Sequence, residues 1–207
     1  MPYPVSVSVE PLLTNRNRLT TAFRLILAIP HMLLVGGLSV GLASGNGALS
    51  VGSESGLLGV VVFVLAVFSW FTIVITGQHN AGVRQFTAFY MRWRVRALSY
   101  IMLLEDRYPP FGDGPYPATL TIVDPPGARD RLSVGFRILL AIPHFIVLVF
   151  VTFAWWLTAI VAWVSILLTG AYPEGLYDFA VGSLRWLLRV EAYVLLLVDE
   201  YPPFSFT

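Results

Sequence analysis

Two histidines stand at equivalent places in long apolar stretches of this chain. His31 and His144 each end the run LAIPH, directly after a proline. Within a membrane, ionisable side chains mark functional sites by default. Two imidazoles that face each other could ligate a haem iron or another metal, or relay protons. The alternative is structural: each imidazole bonds a carbonyl freed by its proline, or lies near the headgroups beside Arg24 and Arg137.

Pairs of arginines form a second candidate site. Arg92 and Arg96 in one helical segment, and Arg185 and Arg189 in another, are four residues apart. This spacing places both members of a pair on one helix face. Such a stripe could bind anionic lipid headgroups or the acidic surface of a partner. The alternative is a solvated interfacial face whose arginines pair with Asp106, Asp199 or Glu191.

Catalysis finds little support in the sequence. There is no Gly-x-Ser-x-Gly elbow, no His-Glu-x-x-His and no phosphate-binding glycine loop. The chain has no cysteine, which excludes disulfides, thiolate metal sites and cysteine nucleophiles. No carboxylate near His31 or His144 completes a metal set. We therefore predict no catalytic residues, no metal and no cofactor, with haem or a metal at the two histidines kept as an alternative.

The composition indicates a membrane protein. The chain has 207 residues, of which 57% are hydrophobic and 12% are charged. Soluble domains are about a quarter charged. From Leu25 to Ser53, and again from Ile138 to Pro173, a histidine is the one residue that could be positively charged. A membrane-spanning helix needs about 20 mostly apolar residues, and both stretches supply them.

The sequence contains two copies of one unit. The run FRLILAIPH at 23–31 recurs as FRILLAIPH at 136–144, at an offset of 113 residues. Further along, YPPF at 108–111 recurs at 201–204, at an offset of 93. Several other matches share these two offsets in order. Internal similarity of this kind indicates a duplicated architecture.

The change of offset locates an insertion in the first copy. It amounts to 20 residues and falls at about 41–56, in a Gly/Ser-rich stretch typical of a flexible loop. We divide the chain into a first repeat at 1–111, a linker at 112–115 and a second repeat at 116–207.

Each repeat is predicted to contain a short β-strand, a transmembrane helical hairpin and an interfacial amphipathic helix. The strand follows from alternating apolar residues, and the amphipathic helix from arginines too costly to place at the bilayer centre. In the second copy the hairpin must turn tightly near Thr152–Trp156, or it must be short or partly re-entrant. The predicted helices are Leu19–Val40, Leu57–Thr76 and Gly82–Leu104, then Leu132–Thr152, Phe153–Thr169 and Gly175–Val198.

The arginines also predict an orientation. If only the hairpins span, the chain is an all-α membrane protein with four spans, and every arginine lies on one side. Positive charge is retained on the cytoplasmic side, so both termini are predicted there, in a bacterial inner membrane. No cleaved signal peptide is apparent at the N-terminus.

Several runs are similar to a known family. RLTTAFRLILAIPH, the ITG and LTG helix ends, YPEGLYDFAVGSLRWLLRVEAYVLLL and the closing YPPF resemble a bacterial membrane family catalogued as domain of unknown function 4389. The similarity covers Tyr3–Phe111 and Tyr116–Phe204. The second copy is the closer match, because the first has Gln78–Ala81 where the second has AYPE. The resemblance implies a membrane protein and no established activity.

These observations predict a non-enzymatic accessory or scaffold subunit. It would bind a larger membrane complex, a second copy of itself or anionic lipid through its arginine-bearing helices, and no nucleic acid. A small transporter or channel with a path between the repeats is the first alternative. A haem- or metal-binding electron carrier that uses His31 and His144 is the second.

Overall fold

The computed structural model describes residues 3–37, 56–125, 127 and 129–207. Both halves of the chain have the same order: a strand, a short helix, a long apolar helix and an amphipathic helix. Within the described residues the elements are β1 (Val5–Val9), α1 (Arg18–Ala22), α2 (Arg24–Val35), α3 (Gly56–Thr76), α4 (Ala81–Ile101), β2 (Ala118–Ile122), α5 (Arg131–Gly135), α6 (Arg137–Thr169) and α7 (Glu174–Val194).

The predicted hairpin of the second copy is a single helix. α6 runs without a break for 33 residues, with Pro143 inside it. The predicted turn near Thr152–Trp156 was wrong, because that stretch offers no glycine, proline or other turn-forming sequence. Leu148, Thr152 and Trp155 are instead buried at helical spacing, on the face that packs against α7.

In the first copy, α3 begins where α2 ends. The Gly56 backbone packs so closely on Gly36 and Leu34 that an added Cβ would lie 2.5 Å from the Gly36 nitrogen. By the two repeat offsets, Val35 and Gly56 correspond to adjacent residues inside α6. The insertion therefore leaves and re-enters one long helix near its middle. The loop predicted at about 41–56 lies almost wholly outside the described residues.

α2 and α3 do not fold back on each other. α4 starts shortly after α3, and the turn that follows α4 binds the start of α2, where Arg24 Nη1 donates to the Glu105 carbonyl at 2.6 Å. α4 has 21 residues, which corresponds to about 31 Å of helix. The end of α3 and the start of α2 are therefore far apart. Each copy thus has one long apolar helix, in place of a hairpin, with an amphipathic helix packed antiparallel to it.

The two strands form a small antiparallel sheet. Its pairing is centred on Val7 opposite Leu120, which are equivalent residues of the two copies, so a local twofold axis passes through this pair. The apolar side chains of β1 and β2 are buried on one face. β1 packs on α7 and β2 packs on α4, so each strand covers the helix of the other copy. The opposite, exposed face carries Ser6, Ser8, Thr119 and Thr121.

α4 and α7 form the central layer of the molecule. α4 contacts α2, α3, β2 and α7, while α7 contacts α6, β1 and α4. Every residue from 93 to 101 in α4 and from 180 to 184 in α7 is buried. The sheet therefore covers one side of this layer, and the long apolar helices cover the other.

The long helices of the two copies meet at their ends. Trp163 Nε1, near the end of α6, donates to the Thr21 carbonyl of α1 at 3.0 Å. Trp70 Nε1, near the end of α3, donates to the Val134 carbonyl of α5 at 2.9 Å. The start of each long helix thus lies beside the end of the other, and the two run antiparallel.

Candidate functional site

An extended apolar surface faces away from the rest of the molecule. Within the described residues, α3 and α6 are two helices long and apolar enough to cross a membrane, and only 28% and 22% of their most apolar segments are buried. A helix of this hydropathy in a soluble core would be buried on most sides. We call this surface, continued by α2, the outer face. Its exposed side chains include Ile26, Leu33, Phe63, Phe71, Phe150, Leu157 and Leu168.

Arginines border the outer face at the ends of the long helices. Arg18 packs over Gly170, at the end of α6, and Arg131 packs over Gly77, at the end of α3. Both ends of each long helix therefore lie at a polar rim, while the outward surface between them is apolar.

His31 is enclosed in a box of aromatic rings. Trp93 Nε1 donates to His31 Nδ1 at 3.0 Å. Phe111 stacks on the imidazole at a centroid distance of 4.6 Å, and Tyr108 lies 5.0 Å away. Because Nδ1 accepts this bond, the neutral ring carries its proton on Nε2. The two aromatic rings come from the YPPF motif, so the histidine ties that motif to α2.

His144 occupies the same kind of box in the second copy. Trp186 Nε1 donates to its Nδ1 at 3.1 Å, and Phe204 and Tyr201 lie 3.9 and 4.9 Å away. The two boxes share no residue, so the structure does not bring His31 and His144 together. Within the described part of the chain, no group of three histidine or carboxylate side chains could hold a metal. The geometry favours the structural interpretation of both histidines.

Buried arginines at the start of each long helix clamp the turn after the amphipathic helix. Arg137 Nη1 donates to the carbonyls of Tyr193 and Val198 at 3.1 and 2.9 Å, and Nη2 binds Asp199 at 2.8 Å. Arg24 makes the same set with Tyr100, Glu105 and Asp106. Sequence reasoning placed Arg24 and Arg137 near headgroups and missed this role. The sequence signal for this role is that the arginine and the aspartate both recur, as Arg24 and Asp106 in the first copy and as Arg137 and Asp199 in the second.

The arginine pair of the first copy shares one carboxylate of the same chain. Arg92 Nε and Nη2 donate to Asp113 at 3.2 and 3.1 Å. Arg96 Nη1 donates to the Gly112 carbonyl at 2.6 Å, and its Nη2 lies 3.4 Å from Asp113. The hydrogen bond from Arg92 holds the pKa of Asp113 below its usual range. Asp113 lies in the segment predicted as a linker, and its pairing with the stripe was not predicted.

The equivalent pair of the second copy has a different environment. Arg185 Nε donates to the Val7 carbonyl at 3.2 Å. Arg189 is 8% exposed, and its Nε and Nη1 atoms are buried without a hydrogen-bond partner. The ring of Tyr3 lies 5.9 Å from its guanidinium carbon. The predicted arginine stripes thus exist in both copies, but only the stripe of the first copy has a carboxylate as a counter-charge.

An ion pair joins the two amphipathic helices and also caps α2. Arg94 Nε and Nη2 donate to Glu191 at 2.8 Å, and its Nη1 donates at 2.7 Å to the carbonyl of Val35, the last residue of α2. Tyr90 contacts the same carbonyl at 3.4 Å. The second copy has Leu187 and Ser183 at these positions, where α6 is continuous and no carbonyl needs a partner.

A groove of about 670 Å³ opens beside the start of α4. His79 lies in its wall with Nε2 3.1 Å from Ser69 Oγ. Burial, with help from Arg129 and Arg84, lowers the pKa of His79 to about 4, so the ring is neutral at physiological pH. The groove is also lined by Gln78, Arg84, Gln85, Arg92, Asp124 and Arg129.

In the second copy, tyrosines replace two residues that line this groove, and the opening beside Gly170 is smaller, at about 470 Å³. Tyr172 stands at the position of His79 and Tyr177 at that of Arg84, with their rings packed edge to face at 5.4 Å. Tyr177 Oη donates to the Glu10 carbonyl at 3.0 Å. The altered turn at Gln78–Ala81 therefore coincides with an open polar groove, which the sequence alone did not indicate.

One family model matches the chain, in two segments. The model described as Domain of unknown function (DUF4389) matches residues 54–112 and 131–205. These segments fall in the two repeats and together cover more than half of the chain. No curated protein and no solved structure showed a significant match.

Proposed function

The chain belongs to the family described as Domain of unknown function (DUF4389), and we propose that it is a non-enzymatic membrane protein embedded through its outer face. The low burial of α3 and α6 carries this proposal. An apolar patch on a soluble monomer rarely exceeds a few hundred Å², whereas here two long helices are apolar along their whole outward side. A lipid bilayer covers such a surface, so that its apolar side chains are no longer exposed to water.

We further propose that the long helices lie along the membrane instead of crossing it. If α6 crossed, the antiparallel α7 would cross as well, with Arg185 and the sheet held against its middle. The sheet has two open edges and an exposed face of serine and threonine, and such edges do not occur in the hydrocarbon region. With the helices in the plane, the sheet faces water and the arginines that border the outer face lie at headgroup level.

In this arrangement all polar elements lie on one side of one bilayer, as the arginine distribution predicted. The positive-inside rule supports our proposal that this side, with both termini, faces the cytoplasm of a bacterial cell at the inner membrane. The multi-pass hairpin topology is replaced by insertion into one leaflet.

Lipid or membrane-partner binding is the proposed activity. Among the residues predicted for it, Arg92 and Arg96 already share Asp113. Arg185 and Arg189 are left, and because they lie on the side of α7 that β1 covers, they serve a partner or an anionic ligand that approaches from the water side. A transport path between the repeats has less support, because the ion pair of Arg94 with Glu191 occupies the contact between α4 and α7. An electron carrier has less support as well, because its two histidines lie in separate boxes.

Site-directed labelling tests the topology cleanly, because the native chain has no cysteine. Ser133→Cys and Thr169→Cys mark the two ends of α6, and Thr121→Cys marks the polar face of the sheet. In sealed inner-membrane vesicles, a membrane-impermeant maleimide should label all three from the same side. Labelling of the two α6 ends from opposite sides would show that α6 crosses and would overturn the in-plane proposal.

Vesicle flotation tests the activity. The purified protein should float with neutral phosphatidylcholine vesicles through its outer face, and more strongly when phosphatidylglycerol is added. A stable protein that stays in the aqueous fraction with both vesicle types, as an oligomer that buries the outer face, would contradict membrane insertion.

A further inference from the structure

The two arginine stripes differ at one position beyond the YPPF motif. By the offset of 93, Asp113 in the first copy corresponds to Phe206 in the second. Phe206 packs against Trp186, with ring centroids 5.5 Å apart, and supplies no charge. Arg185 and Arg189 therefore lack the carboxylate that their first-copy counterparts share.

No other carboxylate takes that place within the described part of the chain. None forms an ion pair with Arg185 or Arg189, in contrast to the eight pairs made by other arginines. The Val7 carbonyl is the acceptor for Arg185, and Arg189 has two buried nitrogens without any acceptor. A buried charge without a counter-charge is costly. Such an arrangement is stable when an anion completes it.

We propose that Arg185 and Arg189 form a binding site for a phosphate group, present in the second copy only. The two guanidiniums lie on the same face of α7, one turn apart. Guanidinium groups bind phosphate oxygens through paired, charge-assisted hydrogen bonds. Arg185 is oriented by its bond to Val7, which leaves its terminal nitrogens for the ligand, and Arg189 supplies the second positive charge beneath it.

The position of Tyr3 sets the boundary of the site. Its ring covers Arg189 at 5.9 Å, while its hydroxyl donates to the Glu200 carbonyl at 3.2 Å. The N-terminal segment and the sheet therefore close one side of the guanidinium pair, and the partly exposed Arg185 marks the open side. A terminal phosphate, carried by a lipid headgroup or by a small soluble molecule, has the charge for this site.

Titration calorimetry on the full-length protein in neutral detergent tests the site. Inorganic phosphate and glycerol 3-phosphate probe soluble ligands, and short-chain phosphatidic acid against phosphatidylcholine of the same chain length probes the headgroup. Arg189→Gln should weaken binding of the preferred probe about tenfold or more. Phe206→Asp, which restores the carboxylate of the first copy, should weaken it similarly without removing an arginine. Arg96→Gln is the matched control and should leave the affinity unchanged.

Equal affinity in the wild type and Arg189→Gln would overturn the proposal, as would an equal loss in Arg96→Gln or no binding of any probe by the wild type. Thermal unfolding of each variant shows whether it is folded. The site names the ligand of the arginine pair and rests on that part of the proposed function, whereas membrane insertion rests on the outer face. A protein that floats with neutral vesicles but binds no phosphate would refute the site alone, and one that binds phosphate without floating would refute membrane insertion alone.

Discussion

The two copies share one buried module and differ in almost everything around it. In both, an arginine clamps the turn after the amphipathic helix and a histidine sits in an aromatic box. Around this module the first copy has a broken long helix, a large groove and an arginine stripe that shares the carboxylate of Asp113. The second copy has a continuous helix, a smaller groove narrowed by Tyr172 and Tyr177, and a stripe without a counter-charge.

The comparison distinguishes the features that stabilise the fold from those that are available for binding. Features present twice, such as Arg24 and Arg137, are buried and bind backbone carbonyls and a carboxylate within the same copy, so they hold the fold. Features present once lie at the surface or at the junction of the copies, where a ligand or a partner has access. The histidines, whose residue type made them candidates for chemistry, belong to the features that are present twice and hold the fold.

The largest effect is expected from the shared clamp. Arg137→Ala removes the donor to two buried carbonyls and one of the two arginines that pair with Asp199, the other being Arg129. This should lower the free energy of unfolding by about 3–5 kcal/mol. Arg24→Ala should cost a similar amount. Thermal unfolding in detergent measures both, with exposed Arg18→Ala as the control. Unequal losses of unfolding free energy in the two variants would show that the two clamps are not equivalent.

A smaller loss is expected at the ion pair that joins the copies. Arg94→Leu, which copies Leu187 of the second repeat, leaves Glu191 without its partner and the Val35 carbonyl without its cap. We expect a loss of about 2–4 kcal/mol in unfolding free energy. The double variant Arg94→Leu/Glu191→Leu should recover part of that loss, because no buried charge then remains. A single variant as stable as the wild type would contradict the capping role.

The sequence predicted the duplication, the insertion and the positions of most helices, because both copies repeat the same motifs at fixed offsets. It did not predict that the second apolar segment of each copy continues in the direction of the first, because a hairpin and a continuous helix have the same apolar composition. The stretch Thr152–Trp156 contains no turn residues, which favours a continuous helix. The hairpin prediction followed from the expectation that each apolar segment of about 20 residues spans a membrane.

The candidate site was predicted only in part. Arg92, Arg96, Arg185 and Arg189 were identified by their spacing, but their partners come from distant segments that only the fold brings close. Asp113 lies in a supposed linker, and Val7 is on the strand of the other copy. The Gln78–Ala81 difference was visible in the sequence, while the groove behind it was not.

The first copy should also show a pH dependence that the second lacks. Glu105 is 4% exposed, and burial raises its pKa from 4.5 to about 7. The folded state therefore binds this proton more tightly than the unfolded chain, so its contribution to stability is fully present below about pH 4.5 and is lost as the pH rises towards 7. The equivalent residue is Val198. In Glu105→Gln the melting temperature should depend less on pH between pH 5 and pH 7.5. A variant that keeps the pH profile of the wild type would show that Glu105 is not the group responsible.

The smallest effect on stability is expected at Asp113, whose side chain is 48% exposed. Asp113→Asn removes the charge that Arg92 and Arg96 share, so the first copy should acquire the anion affinity proposed for the second. Titration with the preferred phosphate probe should then show a second binding event. A stoichiometry identical to that of the wild type would mean that Asp113 is not what distinguishes the stripes.

The crossed packing of the strands has a consequence for biosynthesis. β1 leaves the ribosome before every other described element, yet it pairs with β2 and rests on α7, which is made after all the others. Until β2 emerges, β1 remains an unpaired edge, which is open to aggregation or to pairing with another chain. The first repeat therefore cannot complete its fold before the second has been translated, and the two halves close together once α7 is made.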